Sequence, residues 1–384
     1  MRGSFIPRDY DVFTGLDVSK KSMSVTFTNH QGLIRSLNMP HKAEPLLHYV
    51  RKHFPDQKIA FVYEAGPTGY GLYDGLAAQA YPCLIAAPSM IPRAPGQRVK
   101  TNRLDSKALA EHLRAGQLKS IHIPSPTYRH LRHLTQLRDV LVSELAGMKQ
   151  RIKSLLLFEG IEFPPAPPGS QWSFLVKDQL RKLPRSGPVR FKLDRLLDSI
   201  EFHEQQVLKT ITEIRRFCRN DPELSQCIQY LKSIPGIGWI TASQLLARIG
   251  DWRELKSIRQ LAGFLGLVPS EHSTGKRVDR GSITRTGDER LRSKLIQASW
   301  SAIRQDAELR EFFRSVYRTH PREVASRVAI VAVARKLSVR ISVVLMQQRP
   351  YEVREPVHSA PVTQEETSPQ GTTRRQAEPG EKNS

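Results

Sequence analysis

The chain has 384 residues and 43.6 kDa, enough for two or three domains with sizeable cores. Its 59 Lys and Arg against 37 Asp and Glu leave a net charge of +22 and a pI near 10.2, which favours a polyanionic partner. A hydrophobic fraction of 39% excludes a wholly disordered chain.

Residues 12–28 alternate in two runs, Val12, Leu16 and Val18, then Met23, Val25 and Phe27, joined by a turn at Ser19–Ser22. A third strand is expected over Leu33–Leu37, a helix within His41–His53, and a buried parallel strand at Ile59–Tyr63. Gly66 to Gly69 break that run. A helix over Tyr70–Gln79, a strand over Pro82–Ala87 and a helix from about Asp105 to Ala115 complete an α/β domain, residues 12–125.

Thr127–Phe158 is different. Leu131, Leu134, Leu141, Leu145, Met148, Ile152 and Leu155 share one heptad frame that only Arg138 breaks. After the proline-rich break at residues 164–169, a second long helix is expected over Leu193–Arg219. The pair forms either an internal helical hairpin or a dimerising coiled coil, residues 126–222. Residues 223–349 read as a mostly helical domain. The remaining 350–384 are expected to be disordered, being poor in apolar residues. From Tyr351 on there are four Lys and Arg against six Glu, so the rest of the chain holds +24.

No stretch is apolar enough to span a membrane, and the first residues have no signal-peptide core, so a cytoplasmic protein acting on DNA or RNA is expected. Cys83, Cys218 and Cys227 form no CxxC pair, which disfavours a cysteine zinc site or a disulfide framework.

Three features can carry chemistry. Asp17 lies within the first strand, Glu64 ends the buried strand, and Asp105 opens a helix; such carboxylates can converge on Mg²⁺ or Mn²⁺, or serve as ion-pair partners and a helix cap. Ile234-Pro235-Gly236-Ile237-Gly238 between two helices has a helix-hairpin-helix pattern. The N–H groups of such a turn can receive a phosphate without reading a base. The loop from Pro269 to Arg277 is polar, and seven basic residues lie between Lys276 and Lys294; Ser273 within it becomes a nucleophile only beside a base or metal.

Gly15-Leu16-Asp17-Val18-Ser19-Lys20, Tyr63 to Gly69, Val99 to Asp105, Ile234 to Gly238, Leu261 to Ser270 and His272 to Lys276, in that order, resemble the insertion sequence 110 transposases, which include the Piv-type DNA invertases. The likeness runs from about residue 12 to about 350. It implies an RNase H-like, RuvC-type N-terminal domain whose acidic residues bind Mg²⁺ or Mn²⁺, a helical linker, and a C-terminal domain with a serine nucleophile. It implies a composite recombinase site, a homo-oligomer, dimer or tetramer, and a guide RNA from the element that pairs with donor and target DNA.

On this chain the metal ligands implied are Asp17, Glu64, Asn102 and Asp105, and the nucleophile is Ser273, with Ser270 and Thr274 as neighbours. Gly236, Gly238, Lys276, Arg277 and Arg285 are expected to contact nucleic acid. One departure stands out: Asn102 occupies a position that is usually Asp, giving an amide oxygen in place of a charge. The competing readings are a metal-dependent RuvC-like junction nuclease that uses water, and a non-catalytic nucleic-acid binder.

Overall fold

The computed structural model describes residues 5–92, 102–184, 186–271 and 280–352. The chain divides into two compact units, Met1–Pro124 and Ser125–Ser384.

In the first unit, β1 (Val12–Val18) turns back at Ser19, whose N–H donates to Ser22 O (2.9 Å), into antiparallel β2 (Ser22–Asn29). Antiparallel β3 (Gly32–Pro40) forms one edge and outlasts the expected strand by three residues. After α1 (Ala43–His53), β4 (Ile59–Glu64) pairs parallel to β1; after α2 (Gly71–Ala77), β5 (Cys83–Ala86) pairs parallel to β4. Then comes α3 (Asn102–Arg114). The sheet order is β3-β2-β1-β4-β5.

Strand alternation sorts side chains onto two faces. Val12, Leu16, Val25, Phe27, Phe61 and Tyr63 pack with Leu46 and Val50 of α1 and Leu72 and Leu76 of α2. Phe13, Ala60 and Val62 pack on the opposite face with Leu109 and Leu113 of α3. Coverage of both faces explains why β4 is continuously apolar from Ile59 to Tyr63.

The second unit is mainly helical. The 33-residue α4 (Pro126–Phe158) and, after the short α5 (Phe174–Lys182), the 33-residue α6 (Gly187–Arg219) run antiparallel. At one end Ile152, Leu155 and Leu156 meet Leu193, Leu197 and Ile200, with Val176 and Leu180 of α5. Between the ends Lys149 pairs with Glu204 (3.3 Å). At the other end Tyr128 and Leu131 join Ile214 and Cys218 in a larger core. The heptad positions of α4 are thus used inside the chain.

That larger core is completed by α7 (Pro222–Lys232), α8 (Trp239–Ile249), α9 (Gln260–Phe264), α10 (Glu289–Gln305), α11 (Ala307–Arg318) and α12 (Arg322–Gln347). Two short antiparallel strands, β6 (Pro269–Glu271) and β7 (Arg280–Ile283), lie between α9 and α10. The polar loop expected from Pro269 therefore begins as a strand.

A buried ion pair fastens the last helices. Asp306 is fully buried; it caps α11 by accepting from Leu309 N (2.9 Å) and pairs with Arg340 (2.6 Å). Tyr351 donates its hydroxyl to the same carboxylate (3.2 Å), and burial pushes that phenol up to about 12, so it remains a donor at neutral pH.

Gly147 sits inside α4 with open space where a Cβ would go. Gly147→Ala is expected to stabilise the second unit by about 0.5–1 kcal/mol, because glycine gives up more backbone freedom on entering a helix. Comparative thermal denaturation of the two proteins checks this; an unchanged or lower melting temperature would contradict it.

Candidate functional site

The first unit gathers its acidic candidates at one end of the sheet. Leu16 pairs with Tyr63 across parallel β1 and β4, so Asp17 and Glu64 are the next residues along on neighbouring strands. By alternation with Phe13 and with Ala60 and Val62, both belong to the face covered by α3. Asp17 is half-buried and Glu64 exposed.

Helix α3 crosses this face antiparallel to β1. Phe13 packs near Leu109 and Leu113, whereas Gly15 lies under Ser106 and Ala110. The start of α3 thus lies toward the Asp17 end. A Cβ on Gly15 would overlap the backbone oxygen of Ser106, so glycine here sets how closely α3 approaches the strand. Ser106 is buried, and its Oγ lies 2.9 Å from Thr26 Oγ1 and 3.3 Å from Ser24 Oγ, which fixes the helix in register.

Asp105 immediately precedes Ser106 and is half-buried. It does not cap α3, as its place at the start of the expected helix allowed; the helix begins at Asn102, and Asp105 sits in its first turn. Neither Glu64 nor Asp105 forms an ion pair among the described residues. The side chains themselves do not form one cluster: among the described residues, no three Asp, Glu, His or Cys side chains are close enough to hold a metal ion. The donor set of two aspartates, a glutamate and an amide consists of hard oxygen ligands and suits Mg²⁺ or Mn²⁺. The backbone of Asn102 is described as the first residue of α3, without its side chain.

In the second unit, Ser273, Thr274, Lys276 and Arg277 lie outside the described residues. Gly266 (φ +63°) and Gly287 (φ +80°) let the segments 264–266 and 285–287 touch at backbone distance; a Cβ on Gly266 would overlap Thr286 O, and one on Gly287 would overlap Phe264 O. Buried Arg292 donates from Nη1 to Leu265 O (2.9 Å) and Thr286 O (3.2 Å), binding both segments from α10. Strands β6 and β7 leave this brace as an antiparallel pair. Ser270 Oγ donates to Ser282 O (3.0 Å) within the hairpin, so its hydroxyl is already engaged. Arg285 is exposed and takes a left-handed backbone (φ +56°) at the base of the hairpin.

The glycine turn divides into two roles. Gly236 (φ +85°) presses on α10, where a Cβ would overlap Ala298 O and crowd Ala302. Its glycine is therefore required for helix packing, whatever else the turn does. Gly238 is exposed, precedes α8 and has nothing within 4 Å of the position of a Cβ.

Gly15 and Gly266 stand inside the motifs quoted above without a role of their own, and Gly287 and Arg292 carry none either. A glycine inside an otherwise apolar strand is a signal of close backbone approach, and Gly15 carried it; a buried arginine holding carbonyls distant in sequence has no comparable signal.

The three thiols offer no alternative nucleophile. Burial pushes Cys218 up to about 12 and Cys227 up to about 11, and raises Cys83 further, so each stays protonated near neutrality. Among the described residues, no helix is long and apolar enough to cross a membrane.

Comparison with known proteins bears on both units. Residues 14–159 match a transposase family of the DEDD type, and residues 228–314 match the transposase IS116/IS110/IS902 family. The protein y4qE of Sinorhizobium fredii, named as a candidate transposase, is 31% identical over 298 residues, covering 76% of this chain and 72% of its own. The transposase for insertion sequence element IS1328 of Yersinia enterocolitica is 30% identical over 260 residues, covering 65% of this chain and 73% of its own. The pilin gene-inverting protein of Moraxella bovis is 29% identical over 181 residues, covering 47% of this chain and 55% of its own. With its acidic sheet end and its braced hairpin each inside a matched segment, the chain belongs to the IS110 family of transposases.

Proposed function

We propose that this transposase cuts and rejoins DNA with Ser273 as nucleophile and with Asp17, Glu64 and Asp105, assisted by Asn102, as ligands of Mg²⁺ or Mn²⁺. The observation that carries the reading is the shared end and face of Asp17 and Glu64 on paired strands, with α3 held by Gly15 and Ser106 so that Asp105 starts toward the same end. Asp17, Glu64, Asn102 and Asp105 would hold the divalent ion, which would supply positive charge to the phosphate under attack.

The protein's own part is as follows. The Ser273 hydroxyl gives up its proton as Oγ bonds to phosphorus. The bond from phosphorus to the leaving deoxyribose oxygen breaks, and that oxygen takes up a proton. Lys276, Arg277 and Arg285 offset the negative charge that builds on the phosphate. The phosphoserine ester conserves the energy of the broken phosphodiester, so the reverse attack by a DNA hydroxyl rejoins the strand without a nucleotide cofactor.

The family likeness supports a homo-oligomer bringing two duplexes together and an element-encoded guide RNA as partner. Trapping of a covalent DNA–protein product tests the chemistry.

Binding itself is expected to be steeply salt-dependent, because +24 resides before residue 351. On duplex DNA the logarithm of the association constant should fall with log salt at about −0.9 per neutralised phosphate. Fluorescence anisotropy titrations at several salt concentrations measure the slope, and a flat response would contradict the nucleic-acid reading. Removing residues 353–384, which leaves Tyr351 on Asp306, removes net negative charge and should not weaken binding.

A further inference from the structure

Where α6 ends and α7 and α8 meet, a pocket of about 120 Å³ is lined by Arg219, Ser225, Gln229, Lys232 and Trp239, with Cys218 and Ile228 as its apolar floor. Arg215, one turn back on α6, lies over the Trp239 ring at 5.5 Å. Arg215, Arg219 and Lys232 form no ion pair with a carboxylate among the described residues, whereas the adjacent Arg216 is paired with Glu213 (2.7 Å). The nearby Asp221 carboxylate is committed elsewhere, accepting from Leu224 N (2.9 Å) as the cap of α7.

Like charges near one polar concavity repel one another, and among the described residues no carboxylate forms an ion pair with Arg215, Arg219 or Lys232. An anion seated among them would. The pocket is of a size for one phosphate group, its rim carries hydroxyl and amide donors, and its indole wall suits the sugar or base attached to that phosphate.

We propose that this pocket seats one backbone phosphate of a bound nucleic acid, with Arg219 and Lys232 as its charged partners and Trp239 packing against the adjoining nucleotide. The residues that line it belong to α6, α7 and α8, and it acts in binding rather than in bond breaking. The assignment rests on the nucleic-acid reading above. DNA and RNA offer the same phosphodiester, so the test carries both.

Wild type, Arg219→Gln/Lys232→Gln and Arg219→Lys/Lys232→Arg are compared by fluorescence anisotropy. The probes are a 20-base-pair DNA duplex and a single-stranded RNA of arbitrary sequence, titrated in EDTA from 50 to 300 mM salt. Loss of one phosphate contact lowers the steepness of the log–log salt slope by about 0.9 on duplex or about 0.7 on a single strand, and weakens duplex binding about fivefold at 0.15 M salt. The probe that shows this identifies the source of the phosphate. The charge-retaining double variant should keep the wild-type slope.

Trp239→Leu is expected to weaken binding of the same probe at unchanged slope. Wild-type affinity and slope for both probes in the double glutamine variant would overturn the proposal, as would an equal loss in the charge-retaining variant, which would make the effect structural. Absence of salt-dependent binding by the wild type would instead sink the nucleic-acid reading itself. EDTA keeps the outcome independent of catalysis.

Discussion

Ser273→Ala is expected to abolish the covalent DNA–protein product and recombination together, while nucleic-acid affinity stays within a few-fold of wild type. Removing the hydroxyl removes the atom that bonds to phosphorus, and no smaller effect is consistent with its being the nucleophile. Ser270 already donates to Ser282 O on the partner strand, and Thr274 is the next hydroxyl in sequence. Protein, DNA and Mg²⁺, with the element's RNA, are incubated and denatured, and DNA migrating with protein is sought on a gel. An adduct that persists in Ser273→Ala moves the nucleophile elsewhere. If active wild-type protein never yields one, a hydrolytic nuclease that uses water replaces the recombinase reading.

The second large effect is expected from a single methyl group. Gly15→Ala puts a Cβ into the backbone oxygen of Ser106 and against Ala110, so α3 must move away from β1. Backbone atoms inside a helix yield poorly, and overpacking of this kind costs about 3 kcal/mol. The first unit should melt several degrees lower. DNA cutting should fall further than the loss of folded protein accounts for, because the same movement carries Asp105 away from Asp17 and Glu64. Gly32→Ala is the control: its φ is +138° but nothing lies within 4 Å, so its cost is backbone strain without displacement of α3. Circular dichroism melts and cleavage rates normalised to folded protein separate the two effects; equal stability and cleavage for Gly15→Ala and wild type would refute the role given to Gly15.

Much of this architecture is legible in local sequence because local rules decide it. Period-two alternation marks β1 and β2, a continuous apolar run marks a strand covered on both faces, and the long apolar frame marks α4 to within a residue at each end. The short α5 escapes such reading because it buries only Val176 and Leu180, and its signal is a Ser173 cap. Strands β6 and β7 escape it because their partners are each other and polar, with no buried stripe to betray them.

The acidic candidates are recognisable as residue types, yet the shared face and end of Asp17 and Glu64 depend on register between β1 and β4, which is a tertiary fact. Gly236 illustrates the limit most directly. Its local pattern suggests an outward phosphate turn, and what it touches is α10, some 60 residues later.

The helical hairpin of α4 and α6 is stitched at its two ends by different cores, one shared with α7 to α12 and one made only with α5. Its distal end therefore draws its apolar packing from a core that α7 to α12 do not share, although α4 and α6 run unbroken into both. Amide exchange should therefore reveal the distal end as a separately opening block.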